Sequence, residues 1–153
     1  MKQIKSFQID HTVLLPGLYV SRVDGDCVTY DLRCKKPNKE PVMSTGAMHT
    51  LEHLIATFVR SSQYENSVVY FGPMGCRTGF YLILRDDVSK PEAIALVKDA
   101  LAFCAAFDDA IPGASKRECG NWRDHDLLGA RAEAAAMCAV LKNWGEENLT
   151  YPE

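Results

Sequence analysis

The pentapeptide His49-Thr50-Leu51-Glu52-His53 restricts this chain more than any other stretch. Its two imidazoles are four residues apart inside an apolar pattern of Met48, Leu51, Ile55, Phe58 and Val59, which recurs at helical spacing and predicts a core-facing helix from about Met48 to Arg60. On a helix four residues turn the chain by about 400°, so His49 and His53 stand on one face roughly 6 Å apart. That separation lets both rings ligate one divalent ion. Glu52, one residue before His53, sits at the edge of the same face, where a carboxylate can exchange a proton with whatever the ion binds. The competing reading is a pair of half-buried histidines satisfied by hydrogen bonds. The chain has four histidines in all, and setting two of them with a glutamate between Leu51 and Leu54 places polar groups where a purely structural helix would want none.

The flanking sequence predicts a frame for that helix. Leu18 to Val23 and Cys27 to Arg33 read as strands joined by Asp24-Gly25-Asp26, because Asp-Gly is a hairpin signal. In the second strand Val28, Tyr30 and Leu32 alternate with Cys27, Thr29, Asp31 and Arg33, so one face is apolar and Arg33 lies on the other. Phe7-Gln8-Ile9-Asp10 alternates briefly and is expected to be an edge strand; the flanking Ser6 and His11 carry no signal alone. Lys35 to Gly46 reads as a loop, with Ser44 or Thr45 capping the histidine helix. Ser67 to Phe71 and Phe80 to Leu84 read as two more strands. Ser89-Lys90-Pro91-Glu92 reads as a capping box opening a helix that buries Ile94, Val97, Leu101 and Cys104. A last, Ala-rich helix is expected from about Leu127 to Trp144, stopped by Gly145. Strands, a helix, strands and two helices predict an α+β fold: a single domain with an antiparallel β-sheet packed against helices, mainly on one face.

At 153 residues and 47% hydrophobic content, the chain is long enough for one core. A net charge of -3 with mixed signs forms no basic patch, which argues against nucleic acid and anionic membranes as partners. No apolar run of signal-peptide length follows Met1, and none approaches the ~20 residues of a membrane span. A cytoplasmic protein is expected. In that compartment the six cysteines read as free thiols. Cys27, Cys34, Cys104 and Cys138 fall in apolar patterns and read as small core residues. Cys119, in a polar loop and followed by Gly120, is the natural third metal ligand. Three protein donors leave a position open, as catalytic sites do. Cys76 follows Gly72-Pro73-Met74-Gly75 in a turn between strands, with Arg77 beside it. It reads equally well as a reactive thiol and as a turn residue.

Three functions are compatible with these residues. The H-x-x-E-H pattern fits a small zinc metallopeptidase whose Glu activates a metal-bound water. A metal-assisted isomerase or lyase would use the ion to polarise a carbonyl and two protein groups to move protons, which gives Cys76 a purpose. A metal-sensing module would have no use for an open position beside Glu52.

The chain also resembles the S-ribosylhomocysteine lyases, which make the precursor of the quorum-sensing signal autoinducer-2. The matching pieces, in family order, are Ser6-Phe7 with Asp10-His11, Asp31-Leu32-Arg33 with Lys36-Pro37-Asn38, His49 to Leu54, Pro73 to Gly79, and Glu118-Cys119-Gly120-Asn121 with His125. The resemblance implies that His49, His53 and Cys119 hold one divalent metal per subunit, natively Fe2+ and replaceable by Zn2+ or Co2+. It implies that Cys76 and Glu52 are the acid/base groups, and that Ser6, His11 and Arg33 line a substrate site built across a homodimer interface. The implied substrate is S-ribosylhomocysteine. Its carbonyl migrates along the ribose until homocysteine can leave by β-elimination, giving 4,5-dihydroxy-2,3-pentanedione. His125 matches the pattern too, with a structural role expected at a helix start.

Overall fold

Alternating apolar residues and tight turns produce a four-stranded sheet in the computed structural model, which describes residues 1–153. Strands β1 (Gly17–Asp24) and β2 (Cys27–Arg33) form the expected hairpin. Gly25 occupies its turn at φ +60°, a conformation that costs a residue without Cβ little. Strands β3 (Val68–Pro73) and β4 (Gly79–Arg85) form a second hairpin. Since β4 also pairs with β2, the order is β1-β2-β4-β3, antiparallel throughout. The β2/β4 register sets Tyr30 opposite Leu82 and Leu32 opposite Phe80, and all four enter the core.

Three helices complete that core: α1 (Thr45–Arg60), α2 (Lys90–Ala106) and α3 (Leu127–Val140). Ser44 caps α1 by accepting from the Ala47 N–H, so the helix starts a turn earlier than its apolar stripe. The Ser89–Glu92 capping box of α2 is complete, and Asp126 caps α3. Leu51, Leu54, Ile55 and Val59 of α1 pack with Ile94, Val97, Leu101 and Cys104 of α2 and with Ala130, Ala134 and Met137 of α3 against the apolar face of the sheet. The fold is α+β and a single domain, as expected. No helix is long and apolar enough to cross a membrane.

All six cysteines are free. Cys34 and Cys104 are buried, whereas Cys27 and Cys138 are only half-buried. Burial pushes the Cys34 thiol well up and the Cys104 thiol up to about 12, so both stay protonated.

Two expected elements differ. Phe7 to Asp10 is not a strand. Phe7 and Gln8 donate their N–H groups to the carbonyls of Ile4 and Lys5, both at 3.0 Å, and the Asp10 carboxylate accepts from the Thr12 N–H and hydroxyl. These local bonds favour a 3-10 turn and an Asx turn over sheet pairing. The last helix ends at Val140 rather than Trp144. Beyond it Lys142 bonds back to Ala139 and Trp144 to Leu141, tightening the chain. That turn carries Trp144 across to β1, where its indole Nε1 donates to the Leu18 carbonyl at 2.8 Å.

Candidate functional site

Helix α1 presents His49 and His53 with ring centroids 4.6 Å apart and planes at 82°. Nδ1 of His49 lies 2.8 Å from the Asp124 carbonyl oxygen, and Nδ1 of His53 lies 2.8 Å from that of Pro112. A carbonyl oxygen only accepts, so Nδ1 carries the proton in both rings and Nε2 keeps a lone pair. Both Nε2 atoms face Cys119, whose Sγ is 3.4 Å from His49 and 3.9 Å from His53. Donors at such separations fit one tetrahedral ion with bonds of about 2.0–2.3 Å. The His-His-Cys set therefore fits one divalent metal.

Two loops hold these rings. Asp126 donates its N–H toward the Gly46 carbonyl at 3.2 Å and the Thr50 hydroxyl at 3.0 Å, which lays the segment carrying Asp124 and His125 over the start of α1. Gly46 permits the approach: a Cβ there would stand 3.1 Å from Asp126 Cβ. On the other side Gly113 takes φ +69°, and a Cβ on it would come within 3.3 Å of His53 Nδ1. Glu52 is half-buried and, with His53, Pro112 and Gly113, lines a cleft of about 310 Å³.

His125 joins this cluster more intimately than a helix-start role implies. Its ring stacks on His49 at 4.0 Å between centroids and 21° between planes. Its Nδ1 lies 3.0 Å from Thr50 Oγ1, and its Nε2 is buried without a partner. The four donor atoms of His49, His53, Cys119 and His125 all lie within 4.8 Å of one another. Stacking nonetheless separates His125 from the other three. Its Nδ1 is engaged by the Thr50 hydroxyl, whereas the Nε2 atoms of His49 and His53 both face Cys119. Burial, then the neighbouring His49 and His53, pull His125 below the ordinary imidazole range and keep it neutral. The sequence signal was its place in the same loop as Cys119.

A second group forms around Cys76, which is exposed in the turn between β3 and β4. Arg77, its neighbour in sequence, directs Nη1 toward the Met43 carbonyl at 3.5 Å, and a different arginine stands behind the turn. Arg33 reaches Thr78 Oγ1 at 2.6 Å, and Thr78 Oγ1 lies 3.1 Å from Cys76 Sγ. Arg33 is 2% exposed and Asp31 0%, and their ion pair closes at 2.6 Å. Burial pulls Arg33 down, but the Asp31 carboxylate more than offsets it and the guanidinium stays charged. Tyr151 donates its hydroxyl to the same carboxylate at 2.7 Å; burial and the Asp31 charge both raise Tyr151, which keeps its proton.

The remaining site candidates lie elsewhere. Ser6 lines a groove of about 180 Å³ with Ser21, Thr29 and Tyr81 on the sheet face opposite the helices. The register shift between Val20 and Arg22 leaves Ser21 as the extra residue of a bulge there. His11 is half-buried, with Nδ1 2.8 Å from the Ile9 carbonyl. One chain thus brings His49, His53 and Cys119 together and, separately, links Arg33 to Cys76, with Ser6 and His11 outside both groups.

The sequence model of one protein family, described as S-Ribosylhomocysteinase (LuxS), matches residues 4–148. Among curated relatives, the S-ribosylhomocysteine lyase of Finegoldia magna is 48% identical over 157 residues, spanning all of both chains. That of Clostridium acetobutylicum is 48% identical over 158 residues, again spanning all of both. That of Borreliella burgdorferi is 46% identical over 157 residues, covering 99% of this chain and all of the relative. A match of this extent leaves no part of the fold outside it, and the chain belongs to the S-ribosylhomocysteinase (LuxS) family.

Proposed function

We propose that this chain is an S-ribosylhomocysteine lyase, a carbon–sulfur lyase that converts S-ribosylhomocysteine into homocysteine and 4,5-dihydroxy-2,3-pentanedione. The observation that carries the reading is the convergence of two histidine lone pairs and a thiol beside a half-buried glutamate, in a chain of this family. His49, His53 and Cys119 are the residues that would hold a divalent metal. When bound, the metal supplies Lewis-acid polarisation of a sugar carbonyl and its neighbouring hydroxyl. Two nitrogens and one sulfur accept Fe2+, Zn2+ and Co2+ alike; we take Fe2+ as the native ion, and the reaction asks for no redox change.

The chemistry assigned to the protein is proton movement. A thioether leaves readily only when a carbonyl stands β to the carbon that bears it, so the aldehyde of the opened ribose must migrate. Removing the proton at C2 and returning one to C1 shifts the carbonyl to C2; the same exchange one carbon further shifts it to C3. Loss of the C4 proton then breaks the C5–S bond, and homocysteine leaves as a thiolate that takes up a proton. The C4 enol left behind gives up its hydroxyl proton while C5 gains one, which yields the dione. Atoms balance with no water consumed. Cys76 and Glu52 are assigned these transfers: Glu52 because it lines the cleft beside His53, Cys76 because its sulfur is exposed and hydrogen-bonded to a hydroxyl that a buried arginine also reaches.

Ser6, His11 and Arg33 are assigned to substrate binding at a homodimer interface. Supporting this, Ser6 opens onto the sheet face that carries Tyr81, where Tyr70 is 48% exposed, while the metal-site residues ride on α1 and its loops. A second copy laid against that face would complete each site. Free thiols and a ferrous ion suit the reducing cytoplasm.

The test is to purify the protein without oxygen, add S-ribosylhomocysteine and follow thiol release before and after chelation. Chelator-sensitive homocysteine release is expected. No thiol from reduced, metal-loaded protein overturns the reading, and hydrolysis of a peptide instead would establish the H-x-x-E-H peptidase alternative.

A further inference from the structure

The turn that carries Cys76 contains a buried hydroxyl set between a guanidinium and the sulfur. Thr78 is 4% exposed; its Oγ1 lies 2.6 Å from Arg33 Nη1 and 3.1 Å from Cys76 Sγ. A guanidinium has donors and no acceptor. Thr78 Oγ1 therefore accepts from Arg33, and its own hydrogen remains to be donated. The sulfur is the other partner of this oxygen, and once Cys76 is ionised it can only accept, so that both bonds then run the same way, from Arg33 to Thr78 and from Thr78 to Cys76.

The surroundings hold this hydroxyl in place. The Thr78 carbonyl accepts from the N–H groups of both Cys34 and Lys35, at 2.8 and 3.0 Å, which ties the turn to the end of β2. Gly79 faces Arg33 across the β2/β4 ladder, where a Cβ would strike the Leu32 carbonyl, so the strands approach unusually closely at this point. Arg77 sits at φ +60°, turning the backbone between Cys76 and Thr78. Behind Arg33, the Asp31 carboxylate binds the guanidinium at 2.6 Å and is itself held by Tyr151. The arginine cannot swing out to meet Cys76 without leaving Asp31 buried and unpaired.

We propose that Thr78 is a positioning residue for Cys76: its hydroxyl donates to the sulfur, fixes the thiol's direction, and relays the charge of the buried Arg33 to a Cys76 thiolate. The catalytic half of this proposal rests on the lyase reading above. The structural half does not, because the nucleophilicity of Cys76 is measurable without substrate.

Reduced, zinc-loaded full-length protein is compared as wild type, Thr78→Val and Thr78→Ser. Val keeps the shape and removes the hydroxyl; Ser keeps the hydroxyl. Alkylation of Cys76 by iodoacetamide at fixed pH, followed by peptide mass, should slow about 10-fold in the Val variant, the size expected for losing a hydrogen bond to an ionised group. It should stay within about twofold of wild type in the Ser variant. With substrate, kcat should fall by a similar factor in Thr78→Val at unchanged KM, and Ser should restore it. Alkylation at the wild-type rate in a folded Val variant overturns the relay. Should the Val variant not fold, proton NMR of wild type decides: the Thr78 hydroxyl proton should exchange slowly and move when Cys76 is alkylated, and a resonance indifferent to alkylation overturns the proposal. Absence of turnover in wild type would sink the lyase reading instead and leave the alkylation result to judge Thr78.

Discussion

Cys119 Sγ stands 3.4 Å from Nε2 of His49, although seventy residues of chain separate them. The contact exists because the loop around Asp124 turns the His49 ring through its Nδ1 while Cys119 approaches from the other end of the same loop. Cys119→Ala is expected to fold and to lose its metal, from one ion per chain to near none by elemental analysis. His125→Gln should keep its ion, since His125 stacks on His49 and engages Thr50 while Nε2 of His49 and of His53 face Cys119. Loss of metal from the Gln variant would make His125 a fourth ligand.

Gly113 gives a second handle on the centre. Alanine at φ +69° is strained by about 1 kcal/mol, and its Cβ would press within 3.3 Å of His53 Nδ1, the atom bonded to the Pro112 carbonyl. Gly113→Ala should weaken metal affinity about 10-fold or more, in line with disturbed partners of metal-ligating histidines. Competition against a chromophoric chelator measures this, and unchanged affinity would show that the loop does not orient the ring.

Cys76→Ala and Glu52→Gln should both fold and both bind metal, since neither side chain belongs to the core or to the donor set. Each should lower the rate of homocysteine release by roughly 10²-fold or more, the range for loss of a positioned acid or base. Near-normal turnover removes the altered residue from the proton-transfer role.

The Asp31–Arg33 pair is buried on both sides, and Asp31 Oδ1 and Arg33 Nε have no partner. Asp31→Asn would leave the guanidinium charge uncompensated, which costs about 3–5 kcal/mol when one partner of a buried pair is removed. A urea titration should register that loss as a much lower midpoint at unchanged slope. A midpoint near wild type would mean that solvent reaches the pair.

Acid should act on the start of α2. The N–H of Ser89, followed by its side chain, holds the Glu92 carboxyl below its ordinary value of 4.5. A depressed folded-state value means that the stabilisation is present above 4.5 and is lost as pH falls through the lower, folded value. Glu92→Gln should flatten this part of the acid dependence, read from denaturation midpoints measured below about pH 5. An identical acid profile in the variant would exclude the capping box as its source.

What was legible in the sequence was encoded within a few residues of itself. Helical spacing put His49 and His53 on one face of α1, alternation made β2, Asp-Gly made the first hairpin, and Ser89 to Glu92 opened α2, because periodicity and turn chemistry are properties of adjacent side chains. Local pattern misled where competing hydrogen bonds were shorter in range than the sheet: Phe7 to Asp10 alternates like a strand but satisfies its polar groups by turning back on itself. Tertiary structure decided what depends on distant backbone. The carbonyls that set the His49 and His53 tautomers lie 75 and 59 residues away in sequence. His125 reaches His49 because Gly46 admits its loop, and Arg33 rather than Arg77 reaches the hydroxyl beside Cys76, because the β2/β4 register places Arg33 by Thr78 while Arg77, at positive φ, directs its guanidinium toward Met43. Residue spacing can nominate donors along one helix; which lone pair faces inward is settled by the partner on the other nitrogen, and that partner is supplied by packing.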